Sequence, residues 1–359
     1  MKNIAIIGVG KLGLCLALNL EKKGYNITGI DLDDAYIEDL NEKNIKTSEP
    51  FVEEYLKNSK NIKFTTDLSE CLETDIIFIV VKTPSTQDWK YDHSQINSVL
   101  ESLINFGRRQ KRVDVIINST TFPGYCNSIL NKLLEYNYYI SYNPEFIAQG
   151  SIIRDQVNCD SVLIGEADKF AGDLIESIYA DLCESNPVIN RMSPTEAEIV
   201  KLSVNCFITT KISFANMIGD IATRMGCNAE RVLNSVGSDS RIGNKYLKPG
   251  FGFGGPCFPR DNRALSRCAE EVGVDAVISK ATDKMNELHL EYQIQEFISN
   301  NPDKSVPVKI EYVTYKKESI LTEESQQLKF ALALKDAGYK IIINDKRPEV
   351  LSQINNLLD

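Results

Sequence analysis

One stretch near the N-terminus constrains the fold more than any other. Ile4-Ala5-Ile6-Ile7 is an unbroken apolar run of the kind that forms a strand buried on both faces. Gly8-Val9-Gly10-Lys11-Leu12-Gly13 follows, then a helical run from Leu14 to Lys23 stopped by Gly24, then a second strand, Tyr25 to Ile30, ending in Asp31. The glycines permit a tight turn, close approach of a pyrophosphate and close helix packing. The helix N-terminus faces the anion, and an acid at the end of the second strand reaches a ribose 2′-hydroxyl. A carboxylate there opposes the 2′-phosphate of NADP, so the pattern predicts NAD, held by Gly8, Gly10, Lys11, Leu12, Gly13 and Asp31.

The same α/β rhythm continues. Asp75 to Val81 predicts a buried strand ending in Lys82-Thr83-Pro84-Ser85; Val113 to Ile117 ends in Asn118-Ser119-Thr120-Thr121; Tyr138 to Tyr142 ends in Asn143-Pro144-Glu145-Phe146. In an open parallel sheet these loops share the carboxyl edge where ligands bind, which collects Thr83, Pro84, Thr120 and Glu145 beside the cofactor. A short strand from Asp160 to Gly165 is expected to close the domain.

Composition narrows the functional classes. With 359 residues, 43% hydrophobic and 25% charged, the chain has material for two or three globular domains. A net charge of −10 argues against nucleic acid or an acidic membrane as partner. No apolar run approaches the roughly 20 residues of a membrane span, and no signal peptide precedes Ile4, so a cytoplasmic protein is expected. The nine cysteines form no Cys-x-x-Cys pair, which points to reduced thiols rather than a disulfide framework or a zinc site. Only two histidines are present, so no metal site or His-based mechanism is expected.

Ser193-Pro194-Thr195-Glu196 is a capping box with proline at the first helical position, and helical periodicity then runs to Met225. A helix on the order of 45 Å long suits a spine between domains and a dimer interface. Its apolar residues Ile199, Leu202, Phe207, Ile208, Ile212, Ile218 and Ile221 are expected in the core, with Lys201 and Asn205 stacked one turn apart. Further helix is expected from Ala229 and from Ala264 to Asn300. Between them lies Gly250-Phe251-Gly252-Phe253-Gly254-Gly255-Pro256-Cys257-Phe258-Pro259-Arg260-Asp261. A thiol among exposed backbone N–H groups, with a cation and a carboxylate just beyond, has what covalent chemistry on a carbonyl requires; a glycine-rich turn around a buried cysteine is the other reading.

Taken in order, Gly8–Gly13 with Asp31, Thr83-Pro84, Ser119-Thr120, Asn143-Pro144-Glu145-Phe146, Lys201 with Asn205, Arg241-Ile242-Gly243 and Gly252 to Asp261 resemble the UDP-glucose/GDP-mannose 6-dehydrogenase family over roughly residues 1–300. The resemblance implies an α/β architecture: an N-terminal Rossmann-type doubly wound sheet (1–192), a long central helix with a helical dimerisation and catalytic-loop region (193–300), and a short, partial C-terminal α/β domain for the nucleotide sugar (301–359). It implies oxidation of a sugar's primary alcohol to a carboxylate with two NAD, through a thiohemiacetal and a thioester on Cys257, most simply UDP-glucose to UDP-glucuronate in a homodimer. GDP-mannose, a UDP-N-acetylhexosamine, or a short paralogue that binds NAD without turnover are the alternatives, and an ordinary two-electron dehydrogenase shares the N-terminal pattern. By the same resemblance Lys201 and Asn205 stabilise the oxyanion, Asp261 activates water or relays protons, Thr120 holds that water, and Glu145 is a second acid/base group. Phe146, Lys201, Asn205, Arg241, Tyr246, Phe253, Gly254 and Lys316 contact the substrate. The chain departs from the family at Arg260 (usually Lys), Gln149 (usually an acid), Ser161 (usually Arg) and Glu323 (usually Arg), and its C-terminal segment is shorter.

Overall fold

The computed structural model describes residues 2–147 and 150–358; Gln149 lies outside them. The chain divides into two compact units, Met1–Lys201 and Leu202–Asp359. No described helix is long and apolar enough to cross a membrane.

The first unit is built on an eight-stranded sheet: β1 (Asn3–Ile7), β2 (Asn26–Ile30), β3 (Ile62–Thr65), β4 (Ile76–Ile79), β5 (Val113–Ile117), β6 (Tyr138–Tyr142), β7 (Ser161–Gly165) and β8 (Val188–Met192). Their spatial order is β3-β2-β1-β4-β5-β6-β7-β8. All neighbours run parallel except β6 and β7, which meet antiparallel at Tyr142 and Gly165. The chain winds one way from β1 through β3 and the other way from β4, so a switch-point crevice opens at the carboxyl ends of β1 and β4.

The two-residue period of a strand explains why both faces are covered. Ile4, Ile6, Ile76 and Phe78 face one core with α1 (Lys11–Lys22), α2 (Asp34–Asn41), α3 (Val52–Asn58), α6 (Ile152–Val157) and α7 (Lys169–Leu182). Ala5, Ile7, Ile77 and Ile79 face the other with α4 (Ser94–Asn105) and α5 (Tyr125–Leu134). The sequence expectation that a strand from Asp160 to Gly165 closes the domain is corrected: β8 continues the sheet beyond it. That edge strand is only half-buried, so its apolar alternation is weak.

Helix α8 (Pro194–Arg224) starts at the predicted capping box. The Ser193 main-chain N–H and hydroxyl both donate to Glu196 Oε2, and the Glu196 N–H donates to Ser193 Oγ. Its apolar stripe forms the expected core only in part: Ile208, Ile212 and Ile218 are half-buried, and Ile218 packs against Ala215, Leu233 and Leu247. Leu202 is buried, but Ile199, Phe207 and Ile221 are 44%, 67% and 49% exposed. The buried side of α8 instead carries small and polar residues such as Ala197, Cys206, Thr209, Ser213, Ala215 and Ala222.

In the second unit α9 (Ala229–Gly237) packs Leu233 with Ala215 and Leu247. The expected continuous helix from Ala264 to Asn300 is two helices, α10 (Phe258–Glu271) and α11 (Val277–Asn300). They break at Gly273, which adopts φ +73° and closes the first helix through its N–H to Glu270 O. Helix α10 begins six residues earlier than the sequence pattern suggested, so Phe258 to Asp261 is a helical turn rather than loop. The expected strand from Val308 to Lys316 is three residues long, β9 (Val308–Ile310). It pairs in parallel with β10 (Ile341–Ile343) around α12 (Gln326–Asp336), and α13 (Pro348–Leu358) adds Val350 and Ile354 to a small core with Val313, Leu328 and Ala331.

Candidate active site

The first unit carries the nucleotide crevice. Gly8, at φ +93°, donates its N–H to Ile30 O at 2.7 Å. A Cβ on Gly13 would stand 2.0 Å from Gly8 O, so any side chain there would push α1 off the turn. Gly10 is the α1 N-cap; among the described residues no side chain caps it and its first turn holds no acid, which leaves the positive helix end open to an anion. These features fit a pyrophosphate. Lys11 is exposed beside it and Leu12 half-buried. Asp31 follows β2, with Oδ1 accepting from the Leu32 N–H at 2.8 Å. The loops after β4, β5 and β6 put Thr83-Pro84, Thr120 and Glu145 on this same carboxyl edge, as the sequence predicted.

Two anchors set those loops. Ser119 Oγ donates to Val81 O at 2.6 Å, which ties the β5 exit to the β4 exit. Glu198 of α8, fully buried, accepts from Thr121 Oγ1 (2.9 Å), the Gly124 N–H (2.6 Å) and the Cys126 N–H (2.9 Å). It thereby holds the segment after Thr120 and the start of α5. Burial raises its carboxyl above the usual range, and these bonds pull it back down.

Glu145 sits against a polar floor. Gln156 Nε2 lies 3.2 and 3.0 Å from its two carboxyl oxygens. Burial pushes the carboxyl up to about 7, while Gln156, Lys201 and Asn118 act in the opposite sense. Lys201, itself buried, donates its ammonium to Glu145 O at 2.5 Å and stands 4.6 Å from the Phe146 ring centroid.

The second unit holds the thiol. Cys257 is exposed and occupies the N-cap position of α10, with Asp261 N–H bonded to Cys257 O at 2.8 Å. The positive end of a helix stabilises charge on an attacking sulfur. Asp261 is 1% exposed; its Oδ2 accepts from Asn205 Nδ2 at 2.6 Å and its Oδ1 from Arg260 Nε at 3.2 Å. Arginine at 260 therefore still supplies a cation to Asp261. The predicted stack of Lys201 over Asn205 resolves into separate partners, Glu145 and Asp261.

The glycine stretch before Cys257 is clamped. Gly255, at φ +81°, donates to Glu323 O at 3.0 Å, and a Cβ on it would stand 2.7 Å from the Tyr315 ring. Gly254 packs on the Glu324 carbonyl. Glu323, the departure from the resemblance, thus serves the loop through its main chain. Phe253 is buried, and Asn286 bonds both its N–H (2.9 Å) and its carbonyl (3.0 Å). Gly250 O accepts from His289 Nε2 at 2.6 Å, while His289 Nδ1 faces Asp220 at 2.8 Å. Of the other predicted substrate contacts, Arg241 is exposed and folded onto Asp239, Tyr246 is half-exposed at φ +61°, and Lys316 lies 5.9 Å from the Tyr315 ring centroid. Ser161 simply opens β7.

Sequence reasoning missed Gln156, Asn118, Glu198, Asn286 and His289. Glu198, set between Ala197 and Ile199-Val200, carried a local signal; Gln156, which follows Arg154 and Asp155, carried none.

A doubly wound sheet with an uncapped glycine turn, in a chain that also carries an exposed thiol, defines a nicotinamide-dependent dehydrogenase. Residues 2–183 match the NAD binding domain of the UDP-glucose/GDP-mannose dehydrogenase family, and residues 195–288 match its central domain. The chain belongs to that family. It is 35% identical over 296 residues to a UDP-glucose 6-dehydrogenase of Rickettsia prowazekii, covering 80% of this chain and 67% of that one. It is 32% identical over 294 residues to a UDP-glucose 6-dehydrogenase of Bacillus subtilis, covering 79% and 66%. The chain thus spans about two thirds of the length of these curated relatives. The structure of a UDP-glucose dehydrogenase from Pyrobaculum islandicum matches with a TM-score of 0.89 at 28% identity, over 100% of this chain and 84% of that one. A GDP-mannose dehydrogenase from Pseudomonas aeruginosa matches with a TM-score of 0.63 at 28% identity, over 99% and 86%.

Proposed function

We propose that the protein oxidises the C6 hydroxymethyl group of UDP-glucose to the carboxylate of UDP-glucuronate, a four-electron reaction. The observation that carries this reading is Cys257, an exposed thiol at the first turn of α10, with the buried Asp261, bonded by Asn205, one turn on. Support for the substrate comes from the relatives named UDP-glucose 6-dehydrogenase.

The Gly8–Gly13 turn, Asp31, Thr83-Pro84 and Thr120 would hold NAD, which would supply a hydride acceptor for each of the two oxidations. The residues of the chain do the rest. A base takes the alcohol proton as the first hydride leaves and the aldehyde forms. Cys257 sulfur adds to the aldehyde carbon, and the thiohemiacetal keeps it from escaping. Lys201 and Asn205 stabilise charge on the C6 oxygen. Loss of the second hydride leaves a thioester. Water, held by Thr120 and activated by Asp261 with Glu145 as the second acid/base group, adds to the carbonyl, and the thiolate departs. Phe146, Arg241, Tyr246, the Phe253-Gly254 backbone and Lys316 contact the nucleotide sugar.

The reading assigns residues 1–192 to NAD binding, 193–300 to dimerisation and the catalytic loop, and 301–359 to part of the sugar-nucleotide site. Val204, Phe207, Phe214 and Ile221 recur at intervals of three and seven along one side of α8 and are 38%, 67%, 44% and 49% exposed. That apolar face supports a homodimer through the long helix. Thiol chemistry at Cys257 suits the reducing cytoplasm.

The test is stoichiometry. Protein with UDP-glucose and NAD forms two NADH per sugar, and Cys257→Ser loses net oxidation by on the order of 10³-fold or more while retaining NAD binding. No NADH from UDP-glucose, GDP-mannose or a UDP-N-acetylhexosamine overturns the enzymatic reading. One NADH per substrate overturns the thioester.

A further inference from the structure

Two carboxamides lie where the contact between α1 and α6 is otherwise apolar. Asn19 and Gln156 are each 3% exposed, among Leu16, Leu20, Ile152 and Ile153. Burying an amide costs stability unless its bonds are made. Here the bonds form a directed chain. Asn19 Nδ2 donates to Ile153 O at 3.1 Å and to Gln156 Oε1 at 2.9 Å. Gln156 Nε2 then reaches both oxygens of Glu145, at 3.2 and 3.0 Å.

The donors fix the orientation of the second amide. Asn19 Nδ2 spends its hydrogens on two acceptors, so the Gln156 oxygen must face it and the Gln156 NH₂ must face Glu145. A flipped amide would set NH₂ against NH₂ and an oxygen against a carboxylate. We propose that Gln156, held in one orientation by Asn19, is a positioning residue that aims the Glu145 carboxylate for its acid/base work. This rests on the reading of Glu145 given above and adds the residue that controls it.

Other groups face Glu145. Lys201 of α8 approaches through the main-chain carbonyl; Cys15 of α1, Cys159 before β7, and Tyr179 and Cys183 at the end of α7 lie within its electrostatic reach. Of these only Lys201 is cationic; its ammonium bonds the Glu145 carbonyl, and its charge also favours the carboxylate. The amide of Gln156, with Asn118 beside it, donates at the carboxyl itself. Burial pushes that carboxyl up to about 7, and the amide donor favours the anion.

Gln156→Glu and Gln156→Met test the proposal in the full-length protein. The first keeps the volume and the acceptor for Asn19 but replaces the donor with a second carboxyl; the second removes both. Glu145 is titrated by carbon NMR on side-chain-labelled glutamate, its signal assigned by its loss in Glu145→Gln. NADH formation from UDP-glucose is followed against pH. The Glu145 midpoint is expected to rise by about one pH unit or more in both variants, with the acid limb of the rate profile following it. At pH 7 turnover then falls about fivefold and recovers by pH 9. Asn19→Leu moves both readouts the same way by less. An unmoved midpoint in the folded variants overturns the proposal and leaves Gln156 a structural tie between helices. A midpoint that rises without the acid limb leaves the clamp standing and overturns the role given to Glu145. Should Gln156→Met fail to fold, Gln156→Glu alone decides.

Discussion

Asn205 Nδ2 donates to Asp261 Oδ2 over 2.6 Å, a bond that joins the middle of α8 to the first turn of α10 and fixes the buried carboxylate four residues after Cys257. With Arg260 on its other oxygen, Asp261 has one geometry. Under the proposed mechanism that geometry serves the water step. Asp261→Asn is expected to slow turnover by about 10²–10⁴-fold while still allowing formation of the thioester. Intact-protein mass spectrometry during turnover should then show a covalent adduct that Cys257→Ser lacks. Full hydrolysis in Asp261→Asn, with no accumulated adduct, would remove Asp261 from the mechanism.

Glu145 should make stability and activity respond to pH in opposite senses. Its carboxyl is pushed up to about 7 in the folded protein from an ordinary value of 4.5. The folded state therefore holds a proton that the unfolded chain has released. The contribution is lost as pH rises from the unfolded value through about 7, a cost on the order of 3 kcal/mol by pH 8. Glu145→Gln has no such charge to bury. Urea denaturation should find it similar to the unaltered protein at pH 4 and more stable at pH 8, although its turnover falls. A stability difference that does not change with pH would mean the carboxyl ionises without this cost.

The fold of the nucleotide crevice was legible in the sequence. The strand, glycine turn and Asp31 carried the nucleotide crevice because each glycine answers a local steric demand. Ser193 and Glu196 marked the start of α8 because capping is a local bond. What failed were tertiary matters. The exposed Phe207 and the buried small residues of α8 invert part of its pattern, because an apolar stripe does not say which partner covers it. Phe258 opening a helix was hidden by Pro259, which reads as a breaker although it is acceptable in a first turn. Gln156 and Asn19 lie 137 residues apart, and no local pattern links them.

Glu198 offers a test of scaffold rather than chemistry. Its two oxygens take three donors, two of them main-chain N–H groups that cannot turn away. A glutamine there must point its NH₂ at one of those donors. Glu198→Gln is therefore expected to cost about 1–3 kcal/mol despite its identical shape, and to weaken NAD binding by loosening the segment after Thr120. Chemical denaturation with isothermal titration of NAD measures both. A neutral result would show that the buried carboxylate is replaceable by any acceptor of its size.

The outward face of α8 tests the assembly. Val204, Phe207, Phe214 and Ile221 expose apolar surface along one side of the helix, where a monomer gains nothing from it. Two copies packed through this face would cover it, and a stable interface needs on the order of 800 Å² from each partner, which a 31-residue helix can contribute to substantially. Phe207→Glu with Phe214→Glu places charge at the middle of that face. Light scattering coupled to gel filtration should report a dimer for the unaltered protein and monomer for the double variant, with thermal stability that no longer rises with protein concentration. A monomer in both cases, or a dimer that survives both substitutions, would show that α8 is not the interface.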